Sequence, residues 1–193
     1  MNKNNKKIFI AAGGTGGHVI PAYNLAQHLS NKNDQVELVL DKRGLKYLKK
    51  KINIKINIIP STTIFKKNYF EITLSFFTIF YSIIKSIILL LRAKPYLVFG
   101  MGGYSSFPVC IASKLLNIPF IIYENNLFIG KANKYLLPYA RKIFVSRIEL
   151  EGISEKYKNK ICEIGNIISK EVINFNKSNG VNGNNKNLKI LIL

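Results

Sequence analysis

The stretch Ile8-Phe9-Ile10-Ala11-Ala12-Gly13-Gly14-Thr15-Gly16-Gly17-His18-Val19-Ile20-Pro21-Ala22 decides how the rest of the chain is read. Ile8 to Ala12 is an apolar run of strand length that stops at a glycine turn. Pro21 to Leu29 then reads as a helix with proline in its first turn. Glycines at a strand end let backbone N–H groups approach a ligand, and the helix turns its positive end to the same place. The turn is not a P-loop, because no Gly-Lys-Ser/Thr follows. Nor is it a dinucleotide fingerprint, because its glycines do not fall at i, i+2 and i+5. It therefore reads either as a site for a diphosphate or sugar, or as a tight strand-to-helix connection with no ligand.

Working outward, Val36 to Leu40 reads as a second buried strand and Gly44 to Lys51 as a basic helix. Ile52, Ile54, Ile56 and Ile58 alternate with Asn53, Lys55 and Asn57, the period of a third strand near a sheet edge. Tyr96 to Phe99 repeats the opening pattern: a short apolar strand, then Gly100-Met101-Gly102-Gly103-Tyr104, then a helix over Phe107 to Leu116 with Pro108 in its first turn. Pro119 to Tyr123 is a strand ending on Glu124-Asn125-Asn126, followed by a helix over Ala132 to Tyr139 and a strand over Lys142 to Ser146. Strands alternating with helices predict an α/β, Rossmann-like, doubly wound parallel sheet covered on both faces, with ligands at the carboxyl ends of the strands. On such a sheet the three turns converge on one cleft. His18, at the lip of the first turn, is the candidate base, whereas His28, within the helix, reads as structural.

Ile72 to Leu91 has the length of a bilayer span. Glu71, Ser75, Thr78, Ser82, Lys85 and Ser86 recur every three or four residues, and a lysine at depth costs roughly 2.5 to 3.5 kcal/mol. The run thus predicts an amphipathic crossover helix on the sheet. Phe76, Phe77, Phe80 and Tyr81, flanked by Lys66, Lys67 and Arg92, leave a face wide enough to dip into an anionic membrane surface as well.

The 193 residues suit one domain with a real core. The formal charge of +19 favours anionic partners, but Lys, Asn and Ile crowd the whole chain and no nucleic-acid reading module appears, so nucleic acid is set aside. Cys110 and Cys162 stand far apart with no C-x-x-C, which fits a reducing cytosol and neither a disulfide framework nor a zinc site; the apolar run Ile8 to Ala12 is too short for a signal-peptide core and meets glycines at once, so export is not expected. Residues 1–173 read as the domain, and residues 174–187, rich in Asn, Gly, Lys and Ser, as a linker. Residues 188–193 read as a strand that either docks on the preceding sheet or opens a second domain.

Gly13 to Ala22, Gly100-Met101-Gly102-Gly103-Tyr104 and Tyr123-Glu124-Asn125-Asn126, in this order and spacing, resemble the N-terminal half of the MurG family. That family comprises peptidoglycan glycosyltransferases of GT-B architecture that move N-acetylglucosamine from UDP-N-acetylglucosamine to a lipid-linked muramyl-pentapeptide. The resemblance implies a peripheral protein on the cytoplasmic face of the bacterial plasma membrane. Its acceptor and membrane contacts would lie on this half, and most of the donor site on a C-terminal domain opened by residues 188–193. It also implies His18 as catalytic base, Thr15, Gly16, Gly17 and Asn126 as donor contacts, and Gly102, Gly103, Tyr104 and Glu124 on the acceptor side, with no metal and no cofactor. Two departures stand out: Asn125 replaces the family's Gln, and Gly165-Asn166-Ile167-Ile168-Ser169 lacks the Arg of the family's Gly-Asn-Pro-Val-Arg, which Lys170 does not replace as a planar fork. Without a donor half the expectation is no transfer. The alternatives are a non-catalytic membrane or acceptor-binding remnant, and one subunit of a transferase split over two chains.

Overall fold

A computed structural model describes residues 6–32, 34–48, 53–63 and 68–169. The expected linker at 174–187, the strand at 188–193, Lys66, Lys67 and Lys170 lie outside the described residues. The strands are β1 (Lys7–Ala11), β2 (Gln35–Leu40), β3 (Lys55–Ile58), β4 (Leu97–Gly100), β5 (Phe120–Glu124), β6 (Lys142–Val145) and β7 (Ile161–Glu163). The helices are α1 (Gly16–Ser30), α2 (Tyr69–Ala93), α3 (Ser106–Leu115) and α4 (Lys131–Leu136). All neighbouring strands pair in parallel, in the order β3-β2-β1-β4-β5-β6-β7. The predicted edge strand is at the edge, and the order reverses between β1 and β4, the place where open α/β sheets bind ligands.

Strand alternation sends side chains to two cores. Phe9, Ala11, Val98, Phe120, Ile122 and Ile143 pack on the α2, α3 and α4 side, while Ile8, Ile10, Leu38, Leu40 and Tyr123 meet Val19, Ala22 and Ala26 of α1. Gly100 is needed where β4 ends, because a Cβ there would lie 2.6 Å from the Cys110 Sγ.

Four sequence expectations change. Helix α1 starts at Gly16, so Pro21 sits inside the helix and His18 in its first turn. The helix expected over Gly44 to Lys51 is a 3-10 turn, Gly44–Tyr47, among the described residues. Strand β7 was not expected, since its Ile-Cys-Glu is too short and polar to register as an apolar run. The fourth concerns α2, which crosses from β3 to β4 as predicted but with its faces inverted. Ser75, Ser82, Ser86 and Leu90 form the buried stripe, and Ser82 Oγ donates 2.8 Å to the Pro60 carbonyl, while Lys85 is exposed. Small side chains let the helix lie close to α3, and the large aromatics face out: Phe70, Phe76, Phe77, Phe80 and Tyr81 are all more than half exposed. By length and composition α2 is apolar enough to cross a membrane, yet only 22% of its most apolar window is buried.

Candidate functional site

The carboxyl ends of β1, β4 and β5 carry the three turns singled out in the sequence, and a cleft of about 160 Å³ opens between two of them and α4. His18, Gly102, Gly103, Tyr104, Glu124, Asn126, Gly130, Lys131, Ala132 and Asn133 line it. The His18 ring lies against the second glycine turn. A Cβ on Gly102 would stand 2.7 Å from Nδ1, and one on Gly103 3.3 Å from Cδ2 and 2.6 Å from the Gly13 carbonyl oxygen. Both glycines also hold φ values of +86° and +75°, the left-handed region that side chains avoid. The sequence GMGGY is thus what allows the imidazole to reach across from α1.

Burial lowers the His18 pKa, against the opposing pull of the Glu124 charge and a hydrogen bond to the Met101 backbone. A lowered value keeps the ring neutral near pH 7, the form that accepts a proton.

Glu124 is 2% exposed and its oxygens are engaged by the protein itself. Oε1 accepts from the Asn126 backbone N–H at 3.2 Å and from Asn126 Nδ2 at 2.7 Å, and Oε2 from Gly130 N–H at 2.7 Å and Asn133 Nδ2 at 3.1 Å. With both oxygens taken up by these donors, Glu124 organises the wall of the cleft. Asn133 escaped the sequence reading. Its Nδ2 is spent on Glu124 and on the Tyr123 carbonyl, its Oδ1 is buried without a partner, and the residue lines the cleft. An unsatisfied buried acceptor is costly, so this oxygen is suited to a ligand N–H or O–H. Asn133 lies on the short helix that follows the third turn and carries no motif of its own.

Thr15, Gly16 and Gly17 do not line this cleft. Thr15 caps α1 with extended backbone and is exposed, as is Gly17, whose carbonyl accepts from Asn125 Nδ2 at 3.4 Å. A Cβ on Gly16 would stand 3.1 Å from the Tyr47 ring, a tight contact. The turn is fixed from behind by Asp41, another residue the sequence did not flag. Asp41 is buried, and its Oδ1 accepts from Gly14 N–H at 3.1 Å and Gly44 N–H at 2.9 Å. Its Oδ2 accepts from Arg43 Nε at 2.8 Å and Ser61 Oγ at 2.7 Å. Burial alone would raise this carboxyl, but the donors from Ser61, Gly14, Arg43 and Gly44 outweigh it and hold the pKa at about 2. The Gly14 amide is therefore not available to a ligand. Ser169, where the resemblance puts an Arg, is half-buried at the end of the described residues.

Residues 8–145 match the glycosyltransferase family 28 N-terminal domain. The chain belongs to glycosyltransferase family 28. Within the family it is similar to the UDP-N-acetylglucosamine--N-acetylmuramyl-(pentapeptide) pyrophosphoryl-undecaprenol N-acetylglucosamine transferase of Pelagibacter ubique, 38% identical over 90% of this chain and 49% of that protein. It also resembles the transferase of the same name from Francisella tularensis, 32% identical over 100% of this chain and 53% of that one. The crystal structure of Acinetobacter baumannii MurG superposes with a TM-score of 0.68 at 26% identity, over 86% of this chain and 47% of that one. The fold is accordingly the Rossmann-like half of a GT-B glycosyltransferase. The chain spans about half the length of these relatives.

Proposed function

We propose that this family 28 chain is the acceptor-binding half of an inverting hexosyltransferase. It would carry N-acetylglucosamine from UDP-N-acetylglucosamine to a muramyl-pentapeptide on undecaprenyl diphosphate, the step of peptidoglycan synthesis named for its relatives. The observation that carries the reading is the His18 imidazole, its pKa lowered by burial, set against Gly102 and Gly103 in a cleft at the sheet's switch point. His18 takes the proton of the acceptor hydroxyl as the oxygen attacks the anomeric carbon. UDP departs from the opposite side with the bond electrons, so the configuration inverts. Gly102, Gly103 and Tyr104 border the acceptor, with Glu124 acting by holding Asn126 and Asn133 in place. Thr15, Gly16 and Gly17, which stand outside the acceptor cleft, and Asn126, on its rim, meet the donor carried by a second lobe.

Residues 1–173 form this lobe, 174–187 the link, and 188–193 the first strand of the donor lobe, which is supplied by the same or another chain. The outward aromatic face of α2 rests on an anionic membrane surface. It lies in the surface rather than spanning it, because the helix is the crossover between β3 and β4 and its serine stripe stays packed on the domain. On this reading the protein is peripheral, on the cytoplasmic side of the plasma membrane.

The test is transfer to a water-soluble acceptor analogue by this chain alone, with an added donor half, and with His18→Ala. Transfer only with both halves, lost in His18→Ala, is expected. Turnover by the chain alone, or by the variant, overturns the reading.

A further inference from the structure

A second hollow, about 60 Å³, adjoins the cleft between α2, α3 and α4, and is lined by Thr62, Ile79, Tyr104, Phe107, Lys131, Ala132 and Tyr135. Tyr104, Lys131 and Ala132 line both spaces, so they are the shared wall between the cleft, with its hydrogen-bonding side chains, and a more apolar hollow. The apolar side is built from Ile79, Phe107, Ala132 and the Tyr135 ring, and the Thr62 hydroxyl is engaged with Ser75 Oγ at 3.3 Å. A wholly polar ligand in the cleft leaves this hollow unused. A ligand that is polar at one end, doubly anionic in the middle and hydrocarbon at the other matches the sequence of surfaces: hydrogen-bonding cleft, Lys131, then apolar groove.

We propose that this groove holds the prenyl carbons nearest the diphosphate of the acceptor, with Lys131 at the level of the diphosphate. The proposal rests on the acceptor reading above and adds to it a lipid subsite within the protein. By size the groove takes on the order of four water-sized occupants, the scale of one isoprene unit. The remainder of the chain would leave along α2 past Phe76 and Phe80, both exposed. Recognition of the lipid then begins inside the site and ends in the bilayer, and an acceptor with no hydrocarbon next to its phosphates is held less well.

The experiment compares methyl diphosphate with geranyl diphosphate, both water-soluble, by calorimetric and NMR titration of this chain without vesicles or detergent. The expected result is about tenfold tighter binding of the geranyl compound, a preference lost in Thr62→Phe, which fills the groove, and in Ile79→Gln, which makes it polar. Tyr135→Ala, at an exposed position, gives a third variant whose folding is not at risk. Phe77→Ser, on the outer face of α2, leaves the preference intact. Equal binding of the two probes, or a preference that survives the groove variants but falls in Phe77→Ser, overturns the subsite while leaving the acceptor reading standing. Binding of neither probe overturns both.

Discussion

Replacing Asp41 by Asn removes a charge but almost no volume from behind the glycine turn, and the structure gives the cost. The folded carboxyl sits at about 2 against 3.8 for the ordinary group, a difference on the order of 2 kcal/mol of stabilisation. A lowered folded pKa means that this contribution is complete above the ordinary value and disappears as the pH falls from there through about 2. In Asp41→Asn one oxygen can still serve Gly14 and Gly44, but the amide NH₂ then faces the Arg43 Nε–H, donor against donor. Arg43, 58% exposed on its side chain, can turn to water, so most of the loss lies in the buried carboxylate's own hydrogen bonds. Urea unfolding at pH 7 should show Asp41→Asn less stable by on the order of 2 kcal/mol, a midpoint shift of roughly 1 M. The gap should close between pH 4 and about 2, as the wild-type carboxyl gains its proton. Glu37, also held low by Asn57 and Lys55, titrates in both proteins and cancels in the comparison. Parallel pH profiles, or equal midpoints at pH 7, would refute the assignment of Asp41 as the clamp on the turn.

Other outcomes follow from the same geometry. The His18 ring should titrate below its ordinary value of 6.5 by NMR, and the acid limb of transfer by the completed enzyme should follow it below that pH. Since the folded ring resists protonation, His18 also makes the fold lose stability as pH drops below 6.5, an effect His18→Gln should remove. Gly100→Ala should destabilise by about 1–3 kcal/mol through contact with the Cys110 Sγ, and Cys110→Ala should relieve part of that cost in the double variant, read by thermal unfolding. Phe76→Ser with Phe80→Ser should weaken sedimentation with anionic vesicles by roughly tenfold and leave unfolding nearly unchanged, because both side chains are already exposed.

The parallel sheet was legible because apolar runs of strand length alternate with helical segments, two of the turns because glycine next to a strand end has few other uses, and the third because Glu124-Asn125-Asn126 closes an apolar run with polar residues. What failed to show has physical causes. Glycine is a poor helix former, so Gly16 and Gly17 read as loop, yet they are the first turn of α1. Helix α2 shows the same limit from the other side: periodicity located its two faces but could not say which is buried. The answer turned on close packing of small serines against α3 and the Pro60 carbonyl rather than on hydrophobicity. Asp41 and Asn133 carry no motif: the role of Asp41 exists only because distant turns converge on it, and that of Asn133 because α4 folds back on the end of β5.

The most direct test of the central claim is an NMR titration of the isotope-labelled chain with a soluble muramyl diphosphate analogue of the acceptor. The account predicts that the largest changes fall on His18, Gly102, Gly103, Asn126 and Asn133. The basic hollow at the opposite end of the strands, formed by Lys114, Asn117, Pro119 and Arg141, should stay unperturbed despite its charge. Saturable changes centred on that hollow, with the His18 ring unmoved, would contradict it.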